Sequence, residues 1–85
     1  MIPYTLRYTR QAIEALYTIP RGTAGEVSSA IRALGHDPRP FKGFELELPN
    51  VFAMKVARYF VTYEIVEADR IVVVLLIEQE QRPAG

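Results

Sequence analysis

The sequence predicts one α+β domain in which two N-terminal helices pack on one face of a mainly antiparallel sheet of four to five strands. Three observations lead to this prediction. Apolar residues have helical spacing between residues 12 and 34, they alternate with polar residues from residue 44 onward, and turn-forming residues separate the segments. For the order strand, helix, helix and then strands, this packing is the simplest solution. We expect residues 1–85 to form a single domain with a flexible tail at residues 79–85.

The first strand and the first helix follow directly from the residue spacing. The strand is predicted where apolar residues alternate with polar ones, at Tyr4, Leu6 and Tyr8. The helix is predicted where four residues recur at helical spacing, namely Ala12, Ile13, Leu16 and Tyr17. Thr9 precedes this helix and is a suitable N-terminal cap, and Pro20 ends it.

A second helix is predicted from four apolar residues that share one face, Val27, Ala30, Ile31 and Leu34. Thr23 and Glu26 have the spacing of a capping box at its start, although Pro20 also permits an earlier beginning, because proline is favoured in a first turn. Gly35 is expected to end the helix in a left-handed conformation. The helix cannot continue through the two prolines that follow, Pro38 and Pro40.

The remaining strands are predicted from a period of two. Alternation covers residues 44–48, 52–57 and 59–65, with a turn at Pro49-Asn50. A further turn at residues 67–70 leads into residues 71–77, which are apolar throughout and are typical of a strand that is covered on both faces. Because the turns are short, we expect neighbouring strands to be antiparallel.

Composition excludes several classes of protein. With 49% hydrophobic and 24% charged residues, the chain is expected to be globular rather than disordered. It has no cysteine and one histidine, so we expect neither a disulfide nor a metal site, and no cofactor. No signal sequence or membrane span is visible, which predicts a cytoplasmic protein without a membrane partner. Zero net charge argues mildly against a nucleic-acid partner.

Several motifs carry a resemblance to a known family when their order is considered. They are YxLxYTxxA at residues 4–12, IxxL with DPxP at 31–40, LxLPNVF at 46–52, KVARYFVTYEI at 55–65 and the apolar strand at 71–77. Together they cover nearly the whole chain, and they resemble the RelE/ParE superfamily of type II toxin–antitoxin toxins. The resemblance implies a protein neutralised by a cognate antitoxin. It also implies one of two activities: mRNA cleavage on the ribosome, or poisoning of DNA gyrase as in the ParE branch.

The family's ribonucleases use no metal, and their basic side chains stabilise the charge that develops on the scissile phosphate. This sequence departs from that pattern. Ala53 stands at the first basic position of the hairpin, Phe60 replaces the arginine that follows Tyr59, and only Lys55 keeps its charge there. We therefore expect weak, altered or absent mRNA cleavage, with no catalytic residue assigned and three candidate cations, Lys55, Arg58 and Arg82. Ala57-Arg58 also replaces a turn that often contains glycine, which predicts a rearranged backbone.

Alternation assigns the side chains of the hairpin to two faces. The residues expected to face away from the helices are Ala53, Lys55, Phe60, Thr62 and Glu64. We call this side of the sheet the open face. One half of the 71–77 strand adds apolar side chains to it, and an uncovered apolar patch is disfavoured in a monomer. We therefore expect Ala53, Lys55, Phe60 and Thr62 to bind a partner.

Two kinds of partner follow from this expectation. The resemblance implies an antitoxin segment, whereas a homo-oligomer is the simpler explanation from the residues alone. The second case belongs to another functional class: a non-enzymatic interaction domain that assembles through the open face. In that case Lys55 is an ordinary solvated strand lysine, and Tyr63 has only a packing role. A small-molecule enzyme is not expected, because no nucleophile, base and orienting group occur together.

Overall fold

The computed structural model describes residues 3–38 and 44–81. The elements in chain order are β1 (Thr5–Tyr8), α1 (Arg10–Thr18), α2 (Arg21–Leu34), β2 (Phe44–Glu45), β3 (Val51–Val56), β4 (Tyr59–Val66), a short 3₁₀ helix (Glu67–Asp69) and β5 (Ile71–Gln79). The strands form one sheet in the order β1-β5-β4-β3-β2. This arrangement confirms the predicted α+β fold with two N-terminal helices.

The sheet is antiparallel except at one edge. β2 pairs antiparallel with β3, β3 with β4 and β4 with β5, whereas β1 pairs parallel with β5. The last strand therefore lies between the first strand and the hairpin, which explains why it is the most apolar segment of the chain. A strand in the middle of a sheet forms backbone hydrogen bonds with neighbouring strands on both sides. Its apolar side chains then pack against the side chains of those strands.

The core lies between the helices and one face of the sheet. The helices and the residue that follows α1 contribute five buried side chains, Ala12, Ile19, Val27, Ile31 and Leu34. The sheet contributes seven, Met54, Val61, Tyr63, Ile65, Val72, Val74 and Ile77. All four residues predicted to form the buried face of α2 are at least half-buried. Burial of a large apolar side chain stabilises a fold by about 1.5–3 kcal/mol, so these contacts hold the two layers together.

Thr9 caps α1, as predicted, and it also joins the helix to the sheet. Its hydroxyl oxygen accepts a hydrogen bond from the Ala12 amide at 3.2 Å and donates one to the Leu75 carbonyl at 2.7 Å. Leu75 lies at a β-bulge, because Thr62 pairs with Leu76 whereas Tyr63 pairs with Val74. A bulge leaves a backbone group without its ladder partner. The Thr9 hydroxyl supplies that partner.

Thr9→Val is expected to destabilise the fold by about 1–2 kcal/mol, because it removes both the helix cap and the hydrogen bond to the bulge. The free energy of unfolding in urea measures this. Thr18→Val is the matched control, since the Thr18 hydroxyl donates only to Ala15 within the same helix, at an exposed position. The prediction is wrong if both variants lose the same stability.

Several local predictions about the helices are wrong. α2 begins at Arg21 with Pro20 as its cap residue, so Thr23 and Glu26 lie inside the helix and form no capping box. The helix starts three residues earlier than a Thr23 cap would give, which is the earlier beginning that Pro20 was expected to permit. On α1, Ile13 and Tyr17 are exposed. Only one side of α1 packs on the sheet. Apolar residues other than Ile13 and Tyr17, such as the buried Ala12, occupy that side.

Gly35 is not left-handed, since its φ of −65° and ψ of −24° are right-handed helical values. The need for glycine at this position is explained by a close contact with the start of β1 instead. The Gly35 carbonyl accepts a hydrogen bond from the Tyr4 amide at 2.7 Å. A Cβ at this position would lie 3.2 Å from the Arg32 carbonyl oxygen and 3.4 Å from that of Tyr4. Glycine therefore permits the close approach of the end of α2 to the start of β1.

β2 is shorter than the strand predicted over residues 44–48. Only Phe44 and Glu45 belong to it, and Leu48 is exposed. The chain reverses earlier than predicted: the Val51 amide donates to the Leu48 carbonyl at 3.3 Å, and Asn50 has a φ of 64°. Asparagine tolerates this left-handed conformation, which lets the turn begin before the alternating pattern ends.

The β3–β4 hairpin keeps a tight turn, contrary to the predicted rearrangement. Val56 pairs with Tyr59, so the turn consists of Ala57 and Arg58 alone. Ala57 has a φ of 55°, a left-handed conformation that glycine adopts without steric cost. The tight turn is thus retained without glycine, and the backbone at Ala57 is strained.

Ala57→Gly is expected to stabilise the protein by about 0.5–1 kcal/mol, because relief of the left-handed strain exceeds the entropy that glycine adds to the unfolded chain. Thermal unfolding should show a higher Tm. The matched control is Ala33→Gly at an exposed position of α2, which should destabilise by about 1 kcal/mol. A loss of stability in both variants would contradict the argument about Ala57.

Candidate functional site

The side chains of the sheet lie on the faces that alternation predicted. Across β3 and β4, Ala53 is opposite Thr62 and Lys55 is opposite Phe60, all on the side away from the helices. β5 continues the same rows, with Leu76 beside Thr62 and Glu78 beside Phe60. The open face is thus formed by β3, β4, β5 and part of β1.

The open face is largely apolar and incompletely covered. Five of its apolar residues remain partly accessible, Phe60, Val66, Ile71, Val73 and Leu76. The β5 strand was predicted to be covered on both faces, whereas the described helices cover one. An accessible apolar patch is a candidate interaction surface, and the predicted binding of a partner here stays a prediction.

Of the four predicted partner-binding residues, three are accessible. Phe60 and Thr62 are partly exposed in the centre of the sheet, and Lys55 is exposed on β3. Ala53 is only 5% exposed, because it pairs with Thr62 on one side and with Phe44 of β2 on the other. It stays part of the prediction, with little surface of its own to offer a partner.

Lys55 is engaged by the C-terminal part of the chain. Its Nζ atom lies 2.9 Å from Glu80 Oε2, with side chains that are 48% and 41% exposed. The same Nζ atom lies 6.0 Å from the centre of the Phe60 ring. A lysine in this arrangement is screened from an incoming phosphate by a carboxylate, which weakens the electrostatic stabilisation expected of it.

The other two candidate cations do not join Lys55 in one cluster. Arg58 lies in the hairpin turn, where its side chain is exposed and its carbonyl oxygen accepts a hydrogen bond from the Glu80 amide at 2.6 Å. Arg82 lies outside the described residues. Acidic side chains are close by instead, since Glu78 stands beside Phe60 on β5.

The contact made by Glu80 also changes the expected tail. β5 continues to Gln79, and Glu80 is held by both its backbone and its carboxylate. Within the tail predicted to be flexible at residues 79–85, Gln79 thus belongs to β5 and Glu80 contacts the hairpin, whereas residues 82–85 lie outside the described residues. Glu78 and Glu80 are two residues apart, the spacing of side chains on one face of a strand. This spacing could have indicated from the sequence that the strand continues beyond residue 77.

Within the part of the chain that the structure describes, no helix is long and apolar enough to cross a membrane.

Comparison with solved structures identifies the fold. No protein-family model matches the chain, and no curated protein sequence matches it. The toxin–antitoxin complex RelBE2 of Mycobacterium tuberculosis has a TM-score of 0.80 at 24% identity, over 93% of this chain and 100% of that one. The archaeal RelE–RelB complex of Pyrococcus horikoshii has 0.85 at 20%, over 98% and 100%.

The similarity extends to the ParE branch. The chromosomal ParDE system of P. aeruginosa has a TM-score of 0.76 at 15% identity, over 95% of this chain and 100% of that one. The order of strands and helices described above is thus matched over nearly the full length in both branches. The chain therefore has the fold of the RelE/ParE toxins.

Proposed function

We propose that the chain is a RelE/ParE-type, toxin-like protein of a type II toxin–antitoxin system that acts in the cytoplasm and is neutralised by a cognate antitoxin. The observation that carries the proposal is the accessible apolar open face on this fold. One of the similar structures, RelBE2, is a toxin–antitoxin complex, and another is a complex of RelE with RelB. An antitoxin segment is the occupant that this similarity supports.

The chemistry of the open face suits protein contact. Phe60 presents a partly exposed ring between Lys55 on β3 and Glu78 on β5, and Leu76 lies in the next row of β5 beside Thr62. Interfaces typically have an apolar centre with aromatic residues and a polar rim. The residues of the open face have this composition.

The same face suits phosphate chemistry poorly, and we therefore propose that mRNA cleavage is weak, altered or absent. Lys55 is paired with Glu80, and alanine and phenylalanine stand where cations are expected. Catalysis of phosphate cleavage requires fixed positive charge at the site where negative charge develops. The paired Lys55 supplies little of it, and another cation of this face, Arg7 beside Val73, lies on the far edge strand β1.

Expression in bacteria tests the toxin-like function. Induced expression of the chain should slow growth, and co-expression of the small protein encoded beside it should restore growth and co-purify with the chain. Normal growth at high expression, together with the absence of any co-purifying neighbour, would remove the proposal. The rate of protein synthesis and the supercoiling of plasmid DNA distinguish a ribosomal target from DNA gyrase.

A second candidate is a non-enzymatic domain that assembles with itself through the open face. The neutral charge and the paired Lys55 favour it. Light scattering over a range of concentrations is the direct test: this candidate predicts a dimer or larger species of the isolated chain. A monomer at all concentrations, with growth inhibition on expression, would leave the toxin-like function as the better explanation.

A gyrase-poisoning toxin remains a further alternative, supported by the similarity to ParDE. It does not require the cations that are missing from the hairpin.

A further inference from the structure

Glu80, the residue that follows β5, lies at the hairpin end of the sheet, and its side chain reaches Lys55. Two contacts hold it there: the Glu80 amide donates to the Arg58 carbonyl at 2.6 Å, and the Glu80 carboxylate lies 2.9 Å from Lys55 Nζ. The first extends the β4–β5 ladder by one bond, and the second spans from β5 to β3. Phe60 lies between them on β4.

The bulge at Leu75 is what makes this contact possible. It shifts the alternation of β5 by one residue, so that Ile77 is buried on the helix side and Glu78 pairs with Phe60 on the open face. Glu80 follows at the same parity as Glu78. Without the bulge, both carboxylates would point towards the core, where an ionised group is strongly disfavoured.

Lys55 and Phe60 together have the elements of a site for single-stranded nucleic acid. A cation contacts the phosphate backbone, and a partly exposed aromatic ring offers a surface for stacking of a base. In this protein the cation is already neutralised, and a second carboxylate, that of Glu78, stands on the other side of the ring. Both acids repel a polyanion.

We propose that Glu80 occupies the anion site of Lys55 and competes there with the phosphates of single-stranded RNA, so that the end of β5 is an internal block on RNA binding. This rests on the proposed toxin-like function with weak or altered mRNA cleavage, in which RNA is the ligand of the open face in the absence of an antitoxin. Because an ion pair this exposed is weak, its removal raises affinity for RNA by about two- to fivefold. A block of that strength is displaced readily by a ligand with several contacts.

The test measures binding of a fluorescein-labelled oligouridine by anisotropy at several salt concentrations. Glu80→Gln should bind about two- to fivefold more tightly than the parent chain. For this variant, the slope of the logarithm of the binding constant against the logarithm of the salt concentration should be steeper by about 0.7. This is the value for one additional phosphate contact on a single strand. Lys55→Gln and the double variant should bind equally, because without the lysine Glu80 has nothing to block.

Glu26→Gln is the matched control. It removes the same charge from an exposed position on α2, on the other side of the sheet, and should leave RNA binding unchanged. An equal gain in this variant would show a general effect of net charge and overturn the proposal. A gain in Glu80→Gln for a labelled polyglutamate peptide, without a gain for RNA, would overturn it in favour of a protein carboxylate.

Hydrogen exchange of the Glu80 amide provides an independent measurement on the isolated chain. Glu80→Gln and Lys55→Gln should both accelerate it, because the ion pair helps to hold this amide against the Arg58 carbonyl. Unchanged exchange would show that the pair does not hold the strand end, and would overturn the block. Neither measurement uses an antitoxin, so failure here is distinct from failure of the proposed toxin-like function.

Discussion

Tyr63→Ala is expected to destabilise the fold by about 3–5 kcal/mol, the largest effect of any single truncation that we predict. Tyr63 is fully buried, with 0% of its surface exposed, at the centre of the core. Its ring stacks on Phe52 with centroids 5.8 Å apart and planes at 18°. Removal of the ring leaves a cavity in the core between the helices and the sheet. Because a chain of this length has a total stability of about 4–13 kcal/mol, this loss is a large fraction of it and should lower the Tm substantially.

The hydroxyl of Tyr63 contributes separately. It donates a hydrogen bond to the Pro38 carbonyl at 2.9 Å in a buried environment. This contact ties the segment after α2 to the middle of β4. Tyr63→Phe keeps the ring and should cost about 1–2 kcal/mol, since it leaves the buried carbonyl without its donor.

Urea denaturation of the two Tyr63 variants separates ring from hydroxyl. Tyr17→Phe is the control. Because Tyr17 is 86% exposed on α1, the free energy of unfolding of this variant should differ from that of the parent chain by less than about 0.5 kcal/mol. A Tyr63→Phe variant as stable as the parent chain would mean that the bond to Pro38 contributes nothing. A Tyr63→Ala variant that lost no more than the phenylalanine variant would contradict the packing argument.

Phe60→Arg is expected to weaken binding at the open face by about 2–4 kcal/mol, or roughly 30- to 1,000-fold in Kd. Phe60 is the aromatic residue at the centre of the predicted interface, where such residues usually carry most of the binding energy. Arginine in its place lacks the apolar ring and brings a charge that must lose its water on burial. The fold should tolerate the change, because Phe60 is outside the core between helices and sheet.

Measurement depends on which partner the protein has. With an antitoxin, calorimetric titration of the co-purified pair reports the Kd; with self-association, sedimentation reports the dimer dissociation constant. Tyr17→Arg is the matched control, an aromatic residue on α1 that is more exposed than Phe60 and lies away from the open face. Equal loss in both variants would show that the open face is not the interface.

Local patterns in the sequence were sufficient for much of the fold. A period of two places hairpin side chains on alternate faces whatever lies around them, so Phe60 and Thr62 were assigned correctly. The cap at Thr9 was also recognisable, because capping depends on neighbours three residues away. Where two local signals competed, at Pro20 and at Thr23–Glu26, the sequence offered no means of choosing between them.

Other features depend on residues that are distant in the chain. The small size of Gly35 is explained by the approach of Tyr4, and the exposure of Ile13 and Tyr17 by the single layer that α1 meets. Neither contact has a local signature. The parallel pairing of β1 with β5 is similar, because it joins the first and last strands of the sheet.

The sequence by itself therefore determined the class of fold, the order of its elements and the missing cations of the hairpin. The tertiary structure alone decided which side of the sheet receives the acids of the C-terminal segment. Residues 71–77 are uniformly apolar, so their sequence cannot indicate where alternation shifts. The bulge at Leu75, stabilised by the Thr9 hydroxyl, makes that shift and buries Ile77. The Glu80 carboxylate consequently meets Lys55, since a one-residue shift in a strand exchanges the faces of every side chain beyond it.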